Sequence, residues 1–321
     1  MEVIEIKGIP LASRQPVVLA IGKFDGLHLG HQAILRAALG GVRQSEVKTP
    51  SGESVQLSVM TFWPHPLWAL LHKPGYERML TPPLEQTRVL HEMGVQRLFR
   101  VHFTPEYANI TAEDFVFTHL PRMGVMQVVV GVDFSFGRGG KAGPEDLRGL
   151  CEKIGIPVQI VPPVAMAGEK VSSSHIRNLL AEGQVKEAAV LLGRPYTIVG
   201  QVISGRSLGR QMGFPTANLA DSGSYVLPVA GVYGVEVQVD GGKERWLGAF
   251  NLGSRPTVHG HGLQAEVHLL NFAGDLYGHD LRVSFLTRIR DEQKFSGVVE
   301  LKRQIERDVE EVSRLDRSKN G

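Results

Sequence analysis

Residues 17–31 decide the fold of the first half of the chain, and they read VVLAIGKFDGLHLGH from Val17 to His31. The continuous apolar run from Val17 to Gly22 is typical of a strand that is buried on both faces of a sheet. A glycine-containing turn follows and leads into a helical pattern that begins at Gly30. A strand, a tight turn and a helix in this order predict the first β-α unit of a parallel sheet.

The same alternation of strand and helix patterns continues to about residue 186. Further buried strands are predicted at residues 56–62, 97–102, 127–131 and 158–161, and helices at residues 30–39, 84–93, 112–120, 144–154 and 174–181. The chain therefore begins with an α/β domain, residues 1–186, in which helices cover a parallel sheet.

The second half of the chain has a different pattern. After about Gly193, strand-like segments at residues 197–203, 232–239, 246–250, 265–271 and 281–286 are separated by glycine-rich or polar turns. This pattern predicts a mainly β domain, residues 187–321, built as an antiparallel sheet or small β-barrel. A long terminal helix follows, and we expect it to cover the barrel with an apolar stripe formed by Val298, Val299, Leu301, Ile305, Val309 and Val312.

Length and composition exclude several classes of protein. A chain of 321 residues fits two domains, although a single α/β barrel is an alternative. With 35 Lys and Arg against 33 Asp and Glu, the basic surface of a dedicated nucleic-acid binder is not expected. The single cysteine, Cys151, rules out an intramolecular disulfide framework and indicates a reducing compartment. Because no apolar run approaches the roughly 20 residues that span a bilayer, we expect a cytoplasmic protein without membrane contact.

The turn after the first strand favours phosphate chemistry. Gly22 and Gly30 allow close approach of the backbone to a ligand, and N–H groups at the start of a helix attract phosphate. His28 and His31 fall on one side of the first helical turn, where two imidazoles could stabilise the charge on a nucleotide's phosphates. Zinc is a weaker alternative because no cysteine pair or HExxH pattern supplies further ligands. Two ordinary surface or core histidines are the remaining alternative.

Three further segments offer polar groups suited to a nucleotide. A helix can be capped by Ser172, Ser173 and Ser174, or these residues can leave its N–H groups for a phosphate. The planar guanidinium group of Arg177 can donate two parallel hydrogen bonds to phosphate oxygens. Asp133 could hold a ribose hydroxyl or a metal-bound water, or it could form an ordinary turn. In the second half, Gly205, Gly209 and Gly213 recur at four-residue spacing. They precede Thr216 and Asn218, whose oxygen atoms are hard ligands suited to Mg²⁺.

Several of these segments together resemble one enzyme family. Residues 22–31, GKFDGLHLGH, resemble the GxFDGxHxGH signature in the N-terminal half of bacterial bifunctional riboflavin kinase/FMN adenylyltransferases. Residues 61–66, 131–137 and 171–177 resemble further elements of that half, with Ser174 in place of the usual Thr and Lys170 where some members have Arg. Residues 205–218, GRSLGRQMGFPTAN, resemble the riboflavin kinase signature, and residues 251–257 and 265–268 are similar to elements that follow it.

The resemblance implies a Rossmann-like nucleotidylyltransferase domain and a riboflavin kinase barrel, which together convert riboflavin to FMN and FMN to FAD with ATP and Mg²⁺. It implies that His28 and His31 are catalytic in adenylyl transfer, and that Glu266 is the catalytic base of the kinase. The nucleotide-binding residues would be Gly22, Phe24, Gly30, Asp133, Ser172, Ser173, Ser174, Arg177, Gly205, Gly209 and Gly213. The flavin-binding residues would be Phe62, His65, Pro66 and Phe136, although Phe62 and Phe136 could simply be core aromatics, and Mg²⁺ would bind Thr216 and Asn218.

Two other functions are compatible with the same sequence. One is a nucleotidylyltransferase with a different acceptor, in which the barrel only binds substrate. The other is a non-catalytic flavin-binding or nucleic-acid-binding module. A homo-oligomer is compatible with either and with the bifunctional enzyme.

Overall fold

The structure is a computed structural model that describes residues 1–46, 54–204, 213–220, 223–257 and 260–317. Its residues form two compact units, Met1–Ser173 and Ser174–Gly321. Helix α8 (Ser173–Ala181) spans the division between the units, and helix α9 (Val185–Leu192) follows it. The domain boundary predicted near residue 187 stays a prediction.

The first unit contains a six-stranded sheet in the order β1-β4-β3-β2-β5-β6. Every pair of neighbouring strands is parallel, as the sequence predicts for this half. The strands are β1 (Glu2–Ile6), β2 (Val17–Ile21), β3 (Gln56–Trp63), β4 (Arg97–His102), β5 (Val125–Gly131) and β6 (Val158–Val161). A two-stranded hairpin, β7 (Ala165–Met166) with β8 (Glu169–Lys170), lies outside this sheet.

Helices follow most strands of the first unit. They are α1 (Leu29–Glu46), α2 (Pro66–Leu71), α3 (Pro83–Glu92), α4 (Pro105–Ala108), α5 (Ala112–Asp114), α6 (Leu120–Arg122) and α7 (Pro144–Glu152). The residues between α5 and α6, Phe115–His119, form a π-helical turn, and Arg138–Gly140 form a 3₁₀ turn.

Strand β2 lies at the centre of the core and at the turning point of the topology. All five of its residues are buried, and they alternate between two apolar clusters on opposite faces of the sheet. The chain leaves β2 for β3 on one side, and β5 pairs with β2 on the other side. Ligands of open α/β sheets bind beyond the carboxyl ends of strands at such a point. The fold therefore places the segment that begins at Gly22 in the position expected of a binding site.

The second unit is a closed antiparallel barrel, which confirms the predicted mainly β fold. Its strands pair in the order β10-β13-β12-β11-β14-β9, and β10 closes the barrel on β9. They are β9 (Tyr196–Ile203), β10 (Ala217–Leu219), β11 (Gly231–Val239), β12 (Trp246–Thr257), β13 (Gly260–Leu269) and β14 (Asp280–Asp291). Closure removes free strand edges. Side chains of the neighbouring strands β10, β13 and β12 lie in rows on the barrel's outer face.

A C-terminal helix (Val298–Arg317) packs on strands of the barrel, as predicted. Its buried contacts include Val312 and the carboxylate of Asp308, which accepts two parallel hydrogen bonds from the Arg290 guanidinium at 2.9 and 2.8 Å. The predicted apolar stripe is wrong at its start, because Val298 and Val299 are 67% and 69% exposed. Among the described helices, none is both long and apolar enough to cross a membrane.

Candidate functional site

The loop after β2 has an unusual backbone for residues with side chains. Phe24 and Leu27 adopt left-handed φ angles of 50° and 48°, on either side of Gly26 at 89°. A left-handed conformation is unfavourable for residues that carry a Cβ, and it persists where the surroundings enforce it. Burial does so here, because both side chains are completely inaccessible to solvent. The burial of these two side chains therefore holds the loop in this conformation.

His28 and His31 lie where the sequence predicts, stacked on one side of the start of α1. Their ring centroids are 3.7 Å apart, and the ring planes differ by 19°. The backbone N–H of His31 donates a 3.4 Å hydrogen bond to Nδ1 of His28. Because Nδ1 accepts, the proton of the neutral His28 ring lies on Nε2. This bond orients the ring and fixes its tautomer.

Gly30 makes this stacking sterically possible. A Cβ at position 30 would lie 3.1 Å from both Cε1 and Nδ1 of His28, and 3.6 Å from the carbonyl oxygen of Val171. Gly22 has a similar relation to Phe24, whose ring would lie 3.3 Å from an added Cβ. Phe24, a predicted nucleotide-binding residue, is buried with its ring centroid 5.2 Å from that of His31. In this position its ring supports the histidine pair.

Asp25 is a site residue that the sequence analysis missed. Its buried carboxylate accepts a 3.1 Å hydrogen bond from the backbone N–H of Thr81, and its carbonyl oxygen accepts a 2.8 Å bond from the Ser173 hydroxyl. The neighbouring carbonyl of Lys23 accepts a 2.8 Å bond from the Thr61 hydroxyl. The sequence feature that could have identified Asp25 is its position within the glycine-containing turn after the first buried strand. The loop is thereby tied to three distant segments.

The three predicted serines lie at the start of α8. Ser172 precedes the helix, Ser173 is its first residue, and Ser174 is exposed in its first turn. Arg177 lies further along the same helix, in the unit that begins at Ser174. The structure thus brings Ser173 to the loop after β2, through its bond to Asp25. The phosphate-binding roles of all four residues stay predictions.

Asp133 and Lys170 form an ion pair beyond β5. The pair joins the turn after that strand to the hairpin of β7 and β8, and both side chains are substantially exposed. The carboxylate of Asp133, which is predicted to hold a ribose hydroxyl, therefore has the ammonium group of Lys170 as its neighbour. Lys170 is the position at which some members of the family have Arg. An exposed pair of this kind contributes little to stability, so a ligand can compete with it.

The predicted flavin-binding residues occupy structural positions. Phe62 packs edge-on against Phe103, with ring centroids 5.6 Å apart. Nδ1 of the buried His65 accepts a 3.2 Å hydrogen bond from the Leu67 N–H and so caps α2, whose first residue is Pro66. These contacts do not test the flavin-binding prediction.

Phe136 is a core residue. It is buried against Phe115 and Phe134, with ring centroids 5.5 Å apart in both pairs. The first unit also holds a cavity of about 390 Å³ that is lined by Lys7, Gly8, Ile9, Glu106, Tyr107, Ile110, Asp114, Thr118 and His119. Neither Phe62 nor Phe136 lines this cavity.

Three buried groups of the first unit have shifted pKa values. Burial lowers the pKa of His119 and raises the pKa of Tyr107, whose hydroxyl lies 3.5 Å from Nδ1 of His119. Burial also raises the pKa of the Cys151 thiol to about 11. A thiol with so high a pKa is a poor nucleophile near neutral pH, and Cys151 is completely buried in the core.

The second site lies on the outer face of the barrel. Asn218 of β10 and Glu266 of β13 are direct cross-strand partners, and Asn251 of β12 is the partner of Glu266 on the other side. Ala217 and Val267 are buried on the inner face, so Asn218 and Glu266 project outward. Both are half-buried. The register therefore brings together the predicted metal ligand and the predicted catalytic base.

Gln264 links these two side chains, and its role was not predicted. Its amide nitrogen Nε2 donates a 3.3 Å hydrogen bond to Oδ1 of Asn218 and a second bond to Oε1 of Glu266. Thr216 is half-buried beside β10, and Gly213 is exposed with a left-handed φ of 88°. Gly205 and Gly209 lie in residues 205–212, outside the described residues.

A metal cluster is not present within the described residues. In residues 1–46, 54–204, 213–220, 223–257 and 260–317, no group of three or more His, Cys, Asp or Glu side chains could hold a metal ion. The predicted magnesium ligands are of another kind, a hydroxyl and a carboxamide oxygen.

Comparison with known proteins matches each half of the chain to a different enzyme family model. The FAD synthetase model matches residues 11–175, and the riboflavin kinase model matches residues 192–315. The bifunctional riboflavin kinase/FMN adenylyltransferase of Bacillus subtilis is 36% identical over 304 residues, which cover 92% of each chain. The chain belongs to the bifunctional riboflavin kinase/FMN adenylyltransferase family. The Escherichia coli K12 member is 38% identical over 307 residues, 94% of this chain and 95% of that protein.

A solved structure supports the fold of the whole chain. It is described as a macrolide-efflux protein from Streptococcus pneumoniae, and it matches with a TM-score of 0.87 and 34% identity. The match covers 98% of this chain and 99% of that chain. That description applies to the pneumococcal protein.

Proposed function

We propose that this member of the family carries out its two reactions at two separate sites, adenylyl transfer in the first unit and riboflavin phosphorylation in the second. The observation that carries this proposal is the separation of the site residues. The stacked His28 and His31 lie beyond β2, whereas Asn218 and Glu266 face each other across β10 and β13. Riboflavin is converted to FMN, and FMN to FAD.

Adenylyl transfer needs alignment and charge stabilisation more than proton transfer. An oxygen of the FMN phosphate attacks the α-phosphorus of ATP, and the bond from that phosphorus to the oxygen bridging to the β-phosphorus breaks. Pyrophosphate leaves, and FAD is formed. The attacking phosphate is already ionised, so no general base is required. His28 and His31 would donate hydrogen bonds to phosphate oxygens as charge develops on the leaving group.

The tight loop supports this role because the histidines must not move. Asp25 anchors the loop to Thr81 and Ser173, and the His31 N–H orients the His28 ring. Preorganised donors of this kind stabilise a transition state without the cost of rearrangement during the reaction. Ser172, the residue ahead of α8, and the backbone N–H of Ser173 would supply further donors to the nucleotide.

Phosphorylation of riboflavin does require a base, which we assign to Glu266. The 5′-oxygen of riboflavin attacks the γ-phosphorus of ATP, the bond to the oxygen bridging to the β-phosphorus breaks, and ADP leaves. Glu266 would take the proton of the 5′-hydroxyl. The hydrogen bond from Gln264 holds this carboxylate in the row of side chains that includes Asn218.

Magnesium fits the oxygen atoms of this outer face. Thr216 and Asn218 flank Ala217, whose side chain is buried, so both project from the opposite face and offer hard oxygen ligands. When bound, the ion would neutralise charge on the ATP phosphates. Asn218→Ala should therefore raise the Mg²⁺ concentration needed for riboflavin phosphorylation. An unchanged magnesium titration would remove Asn218 from the metal site.

Product analysis tests the proposed function. The chain is incubated with riboflavin and MgATP, and in parallel with FMN and MgATP, and the flavins are separated by chromatography. The first mixture should yield FMN followed by FAD, and the second should yield FAD. Absence of both products would show that the proposal is wrong. A cytoplasmic location, the absence of nucleic-acid and membrane partners, and self-association stay predictions.

A further inference from the structure

His268 of β13 contacts the segment that leads into the proposed magnesium ligands. Its Nδ1 lies 2.8 Å from the carbonyl oxygen of Pro215, and its ring packs edge-on against Phe214 with centroids 5.5 Å apart. A carbonyl oxygen can only accept, so Nδ1 is the donor and carries a proton. The bond joins residues that are far apart in sequence and therefore constrains Phe214 and Pro215 just before β10.

The strand register shows which part of the site this contact supports. Asn218 pairs with Glu266 and Ala217 with Val267, so continuing the antiparallel register places Thr216 beside His268. The ladder between the two strands ends at Ala217. Beyond that point, the bond from His268 holds the peptide group formed by the Pro215 carbonyl and the Thr216 nitrogen.

We propose that His268 is a positioning residue for magnesium binding in the riboflavin kinase reaction. By fixing the peptide group before Thr216, it sets the direction of the Thr216 hydroxyl relative to the Asn218 oxygen. This inference rests on the proposed function, in which these two residues hold Mg²⁺ with a nucleotide. His268 itself does not touch the reacting atoms.

Two substitutions separate the hydrogen bond from the ring packing. His268→Phe keeps a ring against Phe214 and removes the donor. His268→Asn removes the ring and keeps an amide donor near the position of Nδ1. His279→Phe is the matched control, because Nδ1 of that barrel histidine also has a hydrogen-bond partner, Asp240 at 2.6 Å, on an exposed surface.

Isotope labelling observes this peptide group directly. The sequence contains two Pro-Thr pairs, Pro215-Thr216 and Pro256-Thr257. Protein labelled with ¹³C at the proline carbonyl and ¹⁵N in threonine therefore gives two peaks in an HNCO spectrum, and Thr257→Ser assigns them by removing one. The Thr216 peak then reports on the kinase site alone while Mg²⁺ is titrated in the presence of excess ADP.

The expected result is specific to the hydrogen bond. In His268→Phe, the Pro215-Thr216 peak should move while the other peak stays, and the half-saturating Mg²⁺ concentration should rise about fivefold, the effect of one ordinary hydrogen bond. In His268→Asn, the half-saturating Mg²⁺ concentration should lie within about twofold of that of the unsubstituted chain. His279→Phe should leave this concentration unchanged. In the kinase assay, the magnesium requirement of His268→Phe should rise by the same factor, with kcat at saturating Mg²⁺ nearly unchanged.

Two outcomes would overturn the inference. One is an unchanged magnesium titration of the Thr216 peak in His268→Phe, and the other is an equal loss in His268→Phe and His268→Asn. Thermal unfolding of each variant identifies any that fail to fold, and His268→Asn keeps the test decisive in that case. If the unsubstituted chain forms no FMN from riboflavin, the proposed function fails instead.

Discussion

Gly30→Ala should impair FAD formation without destabilising the protein. Gly30 is the second residue of α1, and its φ is not in the left-handed region that only glycine favours. Alanine is the better helix former by up to about 1 kcal/mol, so the helix itself gains from the change. The substitution instead displaces the His28 ring, because the new Cβ would lie 3.1 Å from its Cε1 and Nδ1 atoms.

The size of the effect follows from this close approach. The ring must move by a few tenths of an ångström to reach ordinary van der Waals contact. That movement lengthens the 3.4 Å bond from the His31 N–H, which is already long, and disturbs the stacking of the two rings at 3.7 Å. Misplacement of a catalytic group by about 1 Å can cost about 100-fold in rate. For a smaller shift, we expect kcat/KM for FAD formation to fall about tenfold, or about 1.4 kcal/mol.

The assay compares Gly30→Ala with a glycine of the same helix. An added Cβ at Gly40 meets nothing within 4 Å, so Gly40→Ala makes the same substitution in the same helix without the contact to His28. FAD formation is measured from supplied FMN, FMN formation from riboflavin, and stability by thermal unfolding. Gly40→Ala should leave both rates unchanged. If Gly30→Ala also keeps its FAD rate within about twofold, the position of His28 does not matter and the reasoning fails.

Three other substitutions test separate parts of the account. His31→Ala should abolish FAD formation from FMN and spare FMN formation from riboflavin, measured by chromatography; loss of both would contradict separate sites. Glu266→Gln should lower riboflavin phosphorylation by about 100-fold or more while leaving adenylylation of supplied FMN intact, and an unchanged kinase rate would remove the proposed base. Asp308→Ala leaves the Arg290 guanidinium without its buried partner and should cost about 3 kcal/mol in urea unfolding of the barrel. Glu310→Ala, which removes an exposed ion pair, should cost about 0.5 kcal/mol or less, and equal losses would show that burial is not what matters.

The fold was predictable where the sequence pattern is continuous. The buried strand at Val17–Ile21 and the helix that follows it were predicted because an unbroken apolar run and a glycine turn permit few other structures. Strand β1 was missed because it lies at the sheet edge, where β4 is its one partner among the described strands, and because it carries exposed acidic residues. Strand β10 was missed because three residues are too few to show a period.

The candidate sites were predictable as sets of residues but not as contacts. Spacing alone placed His28 and His31 on one side of a helical turn, and the family resemblance supplied Glu266. The partners that hold these residues come from distant parts of the chain, as in the bonds from Ser173 to Asp25 and from His268 to Pro215. Such contacts depend on strand register and loop conformation, which local patterns in the sequence do not reveal.

The most direct test of the two successive reactions follows the fate of each ATP phosphate. The chain is given riboflavin with ATP labelled with ³²P at the γ-phosphorus or at the α-phosphorus, and the flavins are separated and counted. The γ-label should enter FMN first and remain in FAD, because phosphorylation supplies the FMN phosphate. The α-label should enter FAD only. Label from the α-phosphorus in FMN, or no label in any flavin, would contradict the account.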